Sequence, residues 1–225
     1  MPLLDMTITA LGHSGVLLDR NGSTLIIDPG IFSDLSGLQR ARAVLITHEH
    51  ADHVDLPRVV EALTTQPQLE VWAPAGVAKQ LTSAGAPADR THAVANGDAF
   101  TAAGFHVRAM GEMHAVIHPE LPSAPNVAFL IDDLVLHPGD SFTAPPSDVQ
   151  VDVLFLAISA PWLKLREAVD YLRSVAPRVV IPVHDAILSD PGKMLTDRMM
   201  GALTAPSEYR RLAAGESYTR PDRGM

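Results

Sequence analysis

The residues with the clearest capacity for chemistry lie together in the run Thr47-His48-Glu49-His50-Ala51-Asp52-His53. His48 and His50 are two apart, so on extended backbone their imidazoles point to the same side and can share one cation. Asp52 and His53 follow where the chain turns away, so one short loop can serve two metals. The chain has no cysteine. Any metal is therefore held by His and carboxylate, with no thiolate ligand or thiol nucleophile available.

The elements around this run must hold it rigidly. Ala43-Val44-Leu45-Ile46-Thr47 reads as a buried strand that stops at His48. After the run, Asp55 caps a helix with Pro57 in its first turn, and Val59, Val60 and Leu63 recur at helical spacing. Upstream, Gly15–Leu18 and Thr24–Ile27 flank Asn21-Gly22, a two-residue hairpin signal. Downstream, Val71-Trp72-Ala73 reads as strand with a helix near 75–84. A hairpin broken at Ala103-Gly104 runs toward His114, and another folds around Asp132-Asp133. Residues 153–158 read as strand, then a helix carries Leu165, Val169 and Leu172 until Pro177, and Val179–Val183 delivers His184. The remainder reads as short polar helices with a solvated tail from Thr219 to Met225. Hairpins interleaved with helices in both halves imply an α+β fold of sheets covered by helices, in one domain over 1–225.

The run His48, His50, Asp52, His53 resembles, without a gap, the HxHxDH signature of the metallo-β-lactamase superfamily, and the resemblance extends over most of the chain. It implies a four-layered αββα sandwich. It also implies that Asp28, in Ile-Ile-Asp-Pro-Gly, supports the metal loop, that Asp140 in its Gly-Asp step bridges two metals, and that His184 closes the site. Gly12-His13-Ser14 and His137-Pro138-Gly139-Asp140-Ser141 look most like the branch containing ascorbate-6-phosphate lactonase-like proteins. Both His114 and His118 follow the third hairpin, and strand alternation does not separate them; the family's spacing favours His114 as ligand, with His118 either supporting the ligands from behind or facing substrate. His13 resembles a His near the pocket in that branch. His137 reads as a buttress for the turn aiming Asp140.

The resemblance implies two divalent cations, zinc first with manganese or iron as alternatives. One would sit on His48, His50 and His114, the other on Asp52, His53 and His184, with Asp140 and a metal-bound hydroxide between them. Asp52, His118 and His13 are the candidates for catalytic work, Asp52 as the proton acceptor. The expected function is metal-dependent hydrolysis of a small lactone, phosphodiester, ester or amide. Two alternatives are an iron-dependent oxidoreductase of the same fold, which commonly has Glu in place of His50, and a binding module without turnover, which the complete ligand set opposes. The formal net charge of −9 and the absence of a Lys/Arg run disfavour nucleic acid as a partner. The expected partner is a small-molecule substrate with no membrane association, in the cytoplasm, because no apolar run approaches the roughly 18 residues of a spanning helix.

Overall fold

The computed structural model describes residues 5–221. Its first six strands form most of one sheet: β1 (Met6–Gly12), β2 (Gly15–Arg20), β3 (Ser23–Ile27), β4 (Ala43–Leu45), β5 (Glu70–Ala73) and β6 (Thr91–Ala93), joined by the late strand β14 (Ser217–Arg220) in the order β14-β1-β2-β3-β4-β5-β6. The second sheet contains β7 (Ala99–Ala102), β8 (Phe105–Met110), β9 (Ala128–Ile131), β10 (Val135–His137), β11 (Val153–Ala157), β12 (Val179–Val183) and β13 (Glu208–Tyr209), in the order β13-β12-β11-β10-β9-β8-β7. Helices α1 (Leu56–Thr65) and α2 (Ala75–Ser83) lie between strands of the first sheet in sequence, α3 (Leu165–Val175) and α4 (Asp190–Leu203) between strands of the second.

Strand alternation sorts the core into layers. Leu18, Leu25, Ile27 and Leu45 face inward and join Phe105, Phe129 and Phe155 of the second sheet in one cluster. Their neighbours Leu17, Ile26 and Val44 face outward against Val59 and Leu63 of α1 and Val77 and Leu81 of α2. On the other side Leu130, Leu154 and Val180 pack with Ala168, Leu172 and Val175 of α3 and Met200 of α4. Helix, sheet, sheet, helix is thus the layer order, the αββα sandwich expected.

The local expectations mostly hold for physical reasons visible in the backbone. Positive φ at both central residues of Asn21-Gly22, Ala103-Gly104 and Asp132-Asp133 closes three tight hairpins. Asp55 caps α1 by accepting from Arg58 N, with proline in the first turn. Two expectations need correction. The segment after His184 is not a set of short polar helices: α4 is a single 14-residue helix, and Thr219 belongs to β14, which pairs antiparallel with β1. That strand's alternation over 217–220 is short and its partner is more than 200 residues away, so local pattern could not reveal it. The end of the predicted tail, 222–225, lies outside the described residues. No helix is long and apolar enough to cross a membrane, among the described residues.

β3 to β6 run parallel, as do β10 to β13. The loops leaving their carboxyl ends therefore gather at one end of the sandwich, the usual place for a site in such sheets.

Candidate metal centre

Every candidate ligand except His114 sits on one of these loops. β4 ends at Leu45, two residues earlier than expected, and Ile46-Thr47 carry the chain to His48. Asp28 follows β3, His114 follows β8, Asp140 follows β10 and His184 follows β12 directly. Short backbone bonds tie the two sheets here: Val127 N donates to Thr47 O (2.9 Å), Ala115 N to Asp140 O (2.8 Å) and His184 N to His13 O (3.0 Å). Three site residues hold left-handed backbone, His13 (φ 51), Asp28 (φ 50) and His184 (φ 63). For residues with a Cβ this costs about 1 kcal/mol or more each, a strain commonly found where geometry serves a site.

Among the described residues three overlapping groups of donor atoms result: His48, His50 and His114; His48, His53 and Asp140; and His13, Asp52, His53 and His184. Asp140 stands between the others, with Oδ1 3.2 Å from His53 Nε2 and Oδ2 3.4 Å from His114 Nε2 and 3.2 Å from His184 Nε2. The residues that the resemblance implies as ligands are thus brought together, with His114, and not His118, among them. His118 is exposed, accepts from Glu120 N through Nδ1 (3.2 Å), and lines a hollow of about 30 Å³ beside His50 and His114. A roomier hollow of about 530 Å³, between 33–39 and α1, contains no histidine.

The groups behind the imidazoles decide which nitrogen faces the centre. Thr47 donates its hydroxyl hydrogen to Asp28 Oδ2 (2.7 Å), so its oxygen accepts from His48 Nδ1 (3.0 Å). His53 Nδ1 donates to Asp28 Oδ2 (2.7 Å), His184 Nδ1 to Ser159 O (2.6 Å) and His114 Nδ1 to Ala115 O (2.5 Å). In each case the Nε2 lone pair is left to point inward, the arrangement that orients imidazole ligands. His53, His114 and His184 Nε2 and Asp140 Oδ1 are buried with no hydrogen-bond partner. Buried polar atoms are rarely left so; four converging on one point fit divalent cations.

His13 is opposite in sense. Its Nδ1 accepts from Ala186 N (3.3 Å), so its Nε2 carries the hydrogen and donates to Asp52 Oδ2 (3.0 Å). Burial pushes its pKa down, keeping it the neutral donor despite Asp52. Although it lies within ligand distance, its protonation suits the alignment of Asp52 and not coordination. Burial likewise lowers His48 and His50. Burial opposes ionisation of Asp52, yet the hydrogen bond from His13 and the nearby imidazoles of His184 and His53 hold its carboxyl well below the ordinary range; Asp140 is held low against burial chiefly by His53.

Several supporting residues had no sequence signal. Asn126 Nδ2 donates to Pro138 O (2.9 Å) while its Oδ1 accepts from Asp140 N (3.0 Å), and Trp162 Nε1 donates to Asp140 Oδ2 (2.9 Å). His137 does buttress the turn: its Nδ1 accepts from Gly139 N and its Nε2 donates to Ser14 O (3.0 Å). A Cβ on Gly30 would lie 1.9 Å from Asp52 O, so the metal loop packs directly on glycine backbone. His92 binds Glu70 Oε2 (2.6 Å) and stacks on Trp72, away from the centre.

Residues 7–184 match the family model described as a beta-lactamase superfamily domain. The chain is 42% identical over 190 residues to protein Rv0786c of Mycobacterium tuberculosis, covering 82% of this chain and 86% of that protein. It is 29% identical over 245 residues to a UPF0173 metal-dependent hydrolase of Lysinibacillus sphaericus, covering 94% and 98%. Its fold is similar to that of Igni18, described as a metallo hydrolase from Ignicoccus hospitalis, with a TM-score of 0.72, 20% identity and 96% and 98% of the two chains covered. With the ligand loops, the αββα layers and the family match in agreement, this chain belongs to the metallo-β-lactamase superfamily.

Proposed function

We propose that this metal-dependent hydrolase works with a dinuclear centre on a small ester, lactone or amide. The observation that carries the reading is the set of buried, partnerless donor atoms of His53, His114, His184 and Asp140, each imidazole fixed by an acceptor at its other nitrogen. His48, His50 and His114 would hold one divalent cation, Asp52, His53 and His184 the other, and Asp140 both. Zinc is our first choice, since imidazole and carboxylate ligands suit it, as they do manganese and iron. When bound, such a pair lowers the pKa of a water and polarises the scissile carbonyl.

The chain's own groups do the rest. Asp52, ionised and aligned by His13, receives the proton that the attacking water loses as its oxygen bonds to the carbonyl carbon. Held well below the ordinary carboxylate range, it is too weak a base to keep that proton and passes it to the leaving oxygen or nitrogen as that bond breaks. His13 is thus a positioning residue. His118, on the lip beside His50 and His114, would meet substrate and not metal.

Elemental analysis of loaded protein together with turnover on ester and lactone panels tests the reading. About two metal ions per chain are expected. Asp140→Asn should lower the rate by about 100-fold or more and remove metal, because an amide neither neutralises nor bridges two dications. Wild-type metal content and rate in that variant would remove Asp140 from the centre; metal-free protein that still turns over would remove the mechanism.

A further inference from the structure

The loops that carry the ligands also decide what sits above them. Eleven large apolar side chains are exposed among the described residues. Four are on α4, and all the others are on ligand loops. Ile31 and Phe32 follow Asp28, Met113, Val116, Ile117 and Leu121 share the loop of His114, and Ile187 follows His184. They are not distant from the chemistry. Phe32 meets His13 edge to face at 5.4 Å, and Ile31 N donates to Ala51 O inside the signature loop. Val116, Ile117 and Leu121 line one hollow with His50 and His114. Val116 is 65% exposed and Phe32 49%, which leaves much apolar area to be covered.

What is missing from these loops is equally informative. The 17 Lys and Arg residues of the chain include none in 28–39, 46–57, 111–125, 138–150, 158–163 or 184–192. A substrate phosphate or carboxylate held away from the metals is normally met by Arg or Lys. The two cations on the cavity of about 400 Å³ behind His13, Lys193 and Arg211, are both paired with Asp185, and Arg211 also with Asp197. Glu49, Glu112 and Glu120 on the ligand loops would repel an anion further.

We infer that the substrate is an uncharged carbonyl compound with an apolar acyl or aryl body, which lies against Phe32 on one side of the centre and Ile117 and Leu121 on the other. The inference rests on the hydrolytic reading above and narrows it: phosphorylated lactones and other anionic esters and amides are set aside. The partner of the apolar rim is the substrate's hydrocarbon, since the rim is continuous with the ligands themselves.

Calorimetry on the zinc-loaded protein with three hydroxamates tests it without turnover. Octanohydroxamate should bind about 50-fold more tightly than acetohydroxamate, roughly half the gain from fully burying the added methylenes. Suberic monohydroxamate, of the same length but ending in a carboxylate, should lose at least about 10-fold against octanohydroxamate because no cation meets that charge. The double variant Ile117→Asn, Leu121→Asn, with its zinc content checked, should bring the octano-to-aceto ratio below about 5-fold. Level affinities for the first two probes, tighter binding of the carboxylate-ended one, or an unchanged ratio in the variant would overturn the inference while leaving the hydrolase standing. Dissociation of a dimer by the same substitutions, with level affinities, would assign the rim to contact between copies and overturn it too. Failure of zinc-loaded protein to bind any hydroxamate would remove the hydrolytic reading and this inference together.

Discussion

Which nitrogen of an imidazole faces the centre is decided by the atom behind it, and here four of the five candidate imidazoles have one: Thr47 for His48, Asp28 for His53, Ser159 O for His184 and Ala115 O for His114, whereas His50 Nδ1 meets His48 Nε2. The same carboxylates that attract metal also attract protons. Burial alone would lower His53, but Asp140 and Asp28 push it up to about 10; burial opposes His184 too, yet Asp140 and Asp52 raise it to about 9. Below those values the metal-free chain holds protons on both residues, and the cation that takes their lone pairs must expel them. Metal affinity at this position should therefore rise with pH, about 10- to 100-fold between pH 7 and 8, and level off only above about 9–10. Chelator competition at several pH values, with proton release measured in parallel, checks this; pH-independent affinity would contradict it. At the same scale, His114→Ala should reduce metal content by about one ion per chain, whereas His118→Ala should leave both in place, since His118 Nδ1 is occupied by Glu120 N and its side chain is exposed.

At the scale of elements, the loops are aimed by contacts with no slack. The turn after β3 and the signature loop meet through Gly30, where even one methyl would collide with the backbone of Asp52 and His53. Backbone cannot rotate aside as a flexible side chain can. Gly30→Ala should destabilise the fold by about 1–3 kcal/mol and displace Asp52 and His53, so that metal loading falls as well. Denaturant melting beside metal analysis would show both; a variant with normal stability and full metal would mean the loops are looser than drawn. Asn126 supports Asp140 in another way, bridging Pro138 O and Asp140 N across a gap of more than ten residues in sequence.

At the scale of the whole molecule, the two sheets are clasped at β14. Arg220 on that strand donates to Asp152 Oδ2 (2.5 Å), Asp152 Oδ1 accepts from Arg178 Nε (2.6 Å), and Arg178 Nη2 donates to Tyr218 OH (2.7 Å). Burial raises the Asp152 carboxyl, but Arg178 and Arg220 more than offset this and hold it below its ordinary 3.8. A depressed carboxylate contributes stability that is present above the unfolded value and lost as pH falls through the folded one. Asp152→Asn should therefore cost about 1–3 kcal/mol at pH 7, less than a fully buried pair because Arg178 is partly exposed. The gap from wild type should narrow as pH falls below about 4. Denaturation of the metal-free protein at both pH values measures it; a variant as stable as wild type at pH 7 would show that the clasp contributes nothing.

The sequence by itself determined the chemistry that needs only neighbours in the chain. His48, His50, Asp52 and His53 were legible because ligand type and spacing lie in six consecutive residues, and strands and hairpins were legible because side-chain alternation and turn φ are local properties. The likeness to a known signature extended this to Asp28, Asp140 and His184, and the packing of the loops at one end of the sandwich agrees with it. Only the tertiary structure brings His114, and not His118, to Asp140, since both follow the same strand and the difference depends on which one the turn at Asp140 meets. It alone showed that His13 is a donor to Asp52, because the hydrogen bond that fixes its tautomer comes from Ala186, more than 170 residues away. Asn126, Trp162 and the β14 clasp belong to the same class: each acts through a partner brought near by folding, and distance along the chain carries no trace of it.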